Sequence, residues 1–118
     1  MAEKHSRLTA EGRFFWWTER LWVLARDLPV ITVNLDGIKE FEENCWFLKL
    51  EDATCKAVAK HAKRIMDADL SYPIILSSEG LLMDGGHRIS KAWLNGSTEI
   101  KAVKFKIDPE PDWIEAVA

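Results

Sequence analysis

The segment Leu82-Met83-Asp84-Gly85-Gly86-His87-Arg88 constrains this chain more than any other. An apolar stretch ends in an acid and two glycines, and the residues that follow, His87 to Asn95, put Ile89, Ala92 and Trp93 on one helical side. That order specifies a strand, a glycine turn and a helix start, with Gly96 placed to stop the helix. A junction of this kind directs free backbone N–H groups and the positive end of a helix dipole at one spot, where anions bind. Gly85 and Gly86 allow a ligand close to the backbone, and Arg88 carries a planar fork of donors suited to phosphate oxygens.

Basic side chains are disfavoured at a helix N-terminus, so His87 and Arg88 at that end imply that something negative is expected there. On this reading Arg88 projects toward solvent beside the N–H groups. The same residues also admit a purely structural account, in which the glycines serve a tight turn, Asp84 caps the helix and Arg88 pairs with an acid. His87 fits either a structural hydrogen bond or proton transfer, and Asp84 is one carboxylate able to hold magnesium against a phosphate.

Around this unit the spacing predicts an α+β domain with a small mixed sheet. Thr9 is placed to cap an aromatic helix over about 9–28, where Phe14, Trp17, Leu21, Leu24 and Leu28 recur at three and four. Phe15, Trp16 and Trp22 widen its apolar arc, which suits either core packing or a dimer or protein-partner surface. Pro29 ends it, Val30 to Leu35 form a strand, and Asp36-Gly37 turn the chain. Residues 38–52 form an acidic loop with one apolar anchor, Cys45 to Leu48. Thr54 or Asp52 caps a second helix whose apolar stripe is Cys55, Val58, Ala59, Ala62, Ile65 and Met66, opposite Lys56, Lys60 and Lys63.

Tyr72 to Ser77 and Leu81 to Asp84 form a hairpin about Ser78-Glu79-Gly80. Lys101 to Ile107 form a final strand, half-buried through Val103, Phe105 and Ile107. The acidic tail 108–118, with Pro109 and Pro111, should wrap the surface, pinned by Trp113.

Composition narrows the function classes. The 118 residues fit one domain, and no apolar run approaches the roughly 20 residues that cross a bilayer. Met1 to Arg13 is polar and lacks the apolar core of a secretory leader, so the expectation is a cytoplasmic protein whose Cys45 and Cys55 stay reduced. The net charge of −3 is segregated: 9 basic and 5 acidic residues lie in 53–107, while 36–52 carry 2 and 6. An acidic total argues against a nucleic-acid binder, although Lys56, Lys60, Lys63, Lys104 and Lys106 are the residues such a role would use.

The order of parts over 28–107, with the pentapeptide Asp84 to Arg88 at its centre, resembles the ParB/sulfiredoxin superfamily and specifically the ParB N-terminal-like domain. The resemblance continues through Leu94-Asn95-Gly96-Ser97 and the strand that follows. It implies that Gly85, Gly86, His87 and Arg88 bind the phosphates of a nucleotide or of a phosphorylated substrate. Asp84 matches the aspartate of phosphoryl-transfer members, so the implied catalytic groups are Asp84 and His87, with Mg2+ on Asp84 as the implied cofactor. Gly86 stands where sulfiredoxins carry their catalytic cysteine. The leading expectation is a phosphate- or nucleotide-binding domain serving phosphoryl transfer or phosphoester hydrolysis. Its rival is a noncatalytic module of the same fold that dimerises or docks through the aromatic N-terminal helix.

Overall fold

The computed structural model describes residues 3–47 and 52–117. Its centre is a four-stranded sheet built from β3 (Ile31–Asn34), β6 (Glu99–Lys104), β4 (Ile74–Leu76) and β5 (Leu82–Asp84), in that spatial order. β3 pairs antiparallel with β6, β4 runs parallel to β6, and β5 returns antiparallel beside β4. The hairpin expected about residues 78–80 is present: the Ser77 N–H donates to the Leu81 carbonyl at 2.7 Å, and the buried Ser77 hydroxyl accepts from the Leu81 N–H. β3, β4 and β5 are each shorter than the expected span, and β6 is displaced from it, starting at Glu99 instead of Lys101 and ending at Lys104 instead of Ile107.

This sheet is covered on both faces, which follows from the two-residue alternation of its side chains. Ile74, Leu76, Leu82, Ile100 and Ala102 meet Ile89 and Ala92 of α3 (Gly86–Leu94), with Leu35 from a short 3-10 turn and Ile38, which joins it to the next one. Ile75, Met83, Val103 and Phe105 meet Trp16, Leu21 and Ala25 on the other face. β6 is therefore covered on both faces, whereas Ile107, expected to continue its stripe, lies past its end and is 85% exposed.

The N-terminal region departs most from expectation. No helix spans 9–28; the chain forms a hairpin of β1 (Lys4–Thr9) and β2 (Gly12–Trp17), followed by a shorter α1 (Thr18–Ala25). Thr9 closes the turn, its hydroxyl donating to the Gly12 carbonyl at 2.8 Å, where a helix cap was expected. The apparent three-four periodicity arises from a strand and a helix joined end to end. Four consecutive aromatics, Phe14 to Trp17, favour a strand, where successive rings go to opposite faces. Trp16 points into the core and Trp17 outward, so the continuous aromatic arc suggested as a dimer or partner surface does not exist.

Nor does the acidic tail only wrap the surface. β7 (Trp113–Glu115) pairs antiparallel with β2 and completes a second sheet, β1-β2-β7. Trp113 stacks on Phe15 with ring centroids 4.8 Å apart, and the Trp16 indole donates to the Pro109 carbonyl at 2.9 Å. Gly12, at φ 126°, is required here: a Cβ would lie 2.6 Å from the Glu115 carbonyl oxygen.

The second helix, α2 (Cys55–Asp67), begins as expected, with the Thr54 hydroxyl accepting from the Ala57 N–H at 3.1 Å. Its inward line differs from the expected stripe. Ala57, His61 and Ile65 are half-buried, while Val58, Ala62 and Met66 face outward. Polar contacts set this rotation: Lys91 of α3 donates to the Met66 and Ala68 carbonyls at 2.8 and 2.6 Å, and His61 reaches His87. Leu48, part of the expected apolar anchor, lies outside the described residues. No helix among those described is long and apolar enough to cross a membrane.

Candidate functional site

The two glycines of the strand-to-helix turn are not equivalent. Gly85 adopts φ 127°, and a Cβ there would sit 2.8 Å from Ile74 Cβ, so both conformation and space require glycine. Gly86 has no positive φ, and a Cβ on it would meet Trp46 Nε1 at 3.4 Å. α3 starts here without a side-chain cap. Asp84 does not serve as one. The first intrahelical bond runs from the Ile89 N–H to the Gly85 carbonyl, leaving the N–H groups of Gly86, His87 and Arg88 without intrahelical acceptors.

Arg88 does not project to solvent as expected. It folds back so that Nη2 lies 2.6 Å from Asp84 Oδ2, and Nη1 donates to the Pro73 and Tyr72 carbonyls at 2.5 and 3.2 Å. The pair is largely shielded, with side chains 16% and 19% exposed. The Trp22 indole also donates to Asp84 Oδ2, at 2.8 Å. Arg88 pairing with an acid, the structural alternative for this residue, is what the geometry shows. Within hydrogen-bonding reach of a guanidinium, carboxylate and carbonyls draw the side chain inward more effectively than water does.

His87, the neighbouring site residue, faces α2. Its Nε2 lies 2.8 Å from His61 Nδ1, and the Trp46 indole stacks on both imidazoles at 4.5 and 4.7 Å between centroids. Burial, then the charges of Arg64, His61 and Arg88, lower the His87 pKa to about 4. The ring is neutral at pH 7. The acidic loop, which no motif marked, thus supplies the aromatic cover over the start of α3.

A cleft of about 1440 Å³ opens at this turn. Asp84, Gly85, Gly86, His87 and Arg88 all line it, together with Trp46 and the N-terminal hairpin. Four further guanidinium groups line it: Arg7, Arg13, Arg26 and Arg64. Arg64 pairs with Glu3 at 2.6 Å and Arg7 lies 3.7 Å from Asp108, whereas Arg13 and Arg26 form no ion pair among the described residues. Acids are present too, since Glu40 and Glu43 reach the same cleft. The sequence therefore located the turn correctly but missed Arg7, Trp46, His61 and His5, which only the fold brings to it.

Cys45 and Cys55 are free thiols. Cys45 lines the cleft, and burial followed by Glu40 and Glu43 raises its pKa, which keeps the thiol protonated and a poor nucleophile. No group of three or more His, Cys, Asp or Glu side chains among the described residues converges as a metal site. Mg2+ would fit here only as a shared ion, taking one oxygen from Asp84 and the rest from ligand phosphates and water. No family model, curated protein or solved structure matches this chain.

Proposed function

We propose that this chain is a ParB/sulfiredoxin-like domain that binds a phosphate-bearing small molecule, foremost a nucleotide, at the start of α3. One observation carries the reading: the uncapped first turn of α3 opens into a large cleft walled by Arg7, Arg13, Arg26 and Arg64. Backbone donors, a helix dipole and guanidinium groups line that one cleft, and these are the groups that anion recognition uses. Gly85 sets the turn through its positive φ and its packing on Ile74, and Arg88 contributes by fixing Asp84 and the chain before β4. Phosphoryl transfer or phosphoester hydrolysis is the reaction class this site would serve, with Asp84 and His87 as the groups to test and Mg2+ entering with the nucleotide.

The test is a thermal-melt titration with phosphate, pyrophosphate and nucleoside triphosphates, each with and without Mg2+. A ligand present at about a hundred times its dissociation constant stabilises the fold by roughly 2.7 kcal/mol, and a clear upward shift is expected. No shift with any of them overturns the proposal. The noncatalytic-module reading then takes its place, with Val58 and Met66 of α2 and Trp93 and Leu94 of α3 as its exposed apolar residues.

A further inference from the structure

His5 stands in the cleft without any motif to announce it. β1 carries it to the floor of the N-terminal sheet, where its ring stacks on Trp16 at 5.6 Å between centroids. Its Nε2 is buried and has no hydrogen-bond partner among the described residues. An unsatisfied buried polar atom is costly, so a nitrogen kept at such a place calls for an explanation. Phenylalanine would preserve the stacking without that penalty.

Asp84, which lines the same cleft, is used unevenly. Trp22 and Arg88 both donate to Oδ2, and Oδ1 receives no donor among the described residues. The Asp84 charge acts on His5, partly opposing burial and Arg7, which together bring the imidazole pKa down to about 4. A neutral ring and a held carboxylate with one unused oxygen thus share one wall, next to the proposed anion site.

We propose that His5 and Asp84 form a second polar anchor that takes a hydroxyl group of the ligand, making the ligand class a hydroxyl-bearing phosphoester such as a sugar phosphate or the ribose phosphate of a nucleotide. A hydroxyl suits both partners. Its one O–H donates to Asp84 Oδ1 while its oxygen accepts from His5 in the tautomer that carries the proton on Nε2. A ligand carboxylate would be repelled by Asp84, and an ammonium group would meet Arg7 and Arg88. The anchor requires the His5 ring to turn about its Cβ–Cγ torsion, which is broad for an imidazole, so that the buried Nε2 meets the incoming group. This anchor rests on the phosphate reading of the α3 turn.

The test titrates the full chain by calorimetry with ribose 5-phosphate and with methyl phosphate, which has the same charged group and no hydroxyl. Wild type is expected to bind ribose 5-phosphate at least tenfold more tightly, and His5→Phe to remove that advantage while leaving methyl phosphate unchanged. His5→Asn, which keeps a polar group, should retain part of it. Equal affinity of wild type for the two compounds overturns the anchor while the phosphate site stands, and this comparison needs no variant to fold. Equal weakening of both ligands by His5→Phe also overturns it. Wild type binding neither compound defeats the anchor and the phosphate reading together.

Discussion

Arg88 Nη2 lies 2.6 Å from Asp84 Oδ2, across the turn from β5 into α3, and the same guanidinium donates to the carbonyls of Tyr72 and Pro73. One side chain thereby ties the end of β5, the start of α3 and the approach to β4. Arg88→Ala is expected to lower the stability of the unliganded protein by about 1.5–3 kcal/mol, the scale for hydrogen bonds to charged groups. Urea denaturation reads this directly. Arg88→Lys should restore little, since a single ammonium cannot serve a carboxylate and two carbonyls in the planar geometry of a guanidinium. An unchanged denaturation midpoint for Arg88→Ala would show that these bonds exchange for water without loss.

The two glycines differ in what their positions demand. Gly85→Ala must hold a side chain at φ 127° against Ile74, and it should destabilise the fold by at least about 1–3 kcal/mol. Gly86→Ala should unfold at nearly the wild-type midpoint, because its backbone is ordinary and its nearest neighbour is the movable Trp46 ring. Equal losses for the two variants would contradict the turn geometry.

Acid should destabilise the protein through two imidazoles. The folded-state pKa values of His5 and His87 are lowered to about 4 from an ordinary value of 6.5, burial being the leading cause for each. Between those limits the unfolded chain binds more protons, so stability rises with pH. The contribution is fully present above about pH 6.5 and is lost as pH falls toward 4. Denaturation midpoints measured at pH 7.5, 5.5 and 4.5 check the sign, and His5→Phe should flatten the profile. Its retaining the full wild-type slope would remove His5 from the account.

Trp113 lies over Phe15 with ring planes 3° apart and touches Trp17 at 4.9 Å between centroids. Trp113→Ala is expected to cost about 1–2 kcal/mol, combining the aromatic pair and part of the β2–β7 pairing. Amide exchange should accelerate in β7 and β2 and remain slow in β4 and β6. Uniform acceleration throughout would mean that the two sheets unfold as one unit.

The resemblance and the site's chemistry are open to the titrations above, while the architecture shows what local reading reaches. The strands around Ile31–Asn34, Ile74–Leu76, Leu82–Asp84 and Glu99–Lys104, the Thr54 cap and the helix after Gly85 were legible because each is specified within a few residues. Glycines, prolines, capping hydroxyls and β-branched runs act on their immediate neighbours. The N-terminal hairpin was not legible, since Phe14, Trp17 and Leu21 satisfy helical spacing by accident, the first two lying on β2 and Leu21 on α1, and β2 is completed by β7, about a hundred residues away.

Side-chain direction at the site divides in the same way. Local residue order is enough to start α3 at a glycine turn with Asp84, His87 and Arg88 around it. That Arg88 turns inward to Asp84, that Trp46 covers His61 and His87, and that the hairpin brings His5 and Arg7 to the cleft depend on contacts between distant segments. The difference is one of range. Backbone conformation is set largely by steric and hydrogen-bonding effects between neighbours in sequence, whereas a charged or aromatic side chain settles against whichever partners the folded chain places within a few ångströms.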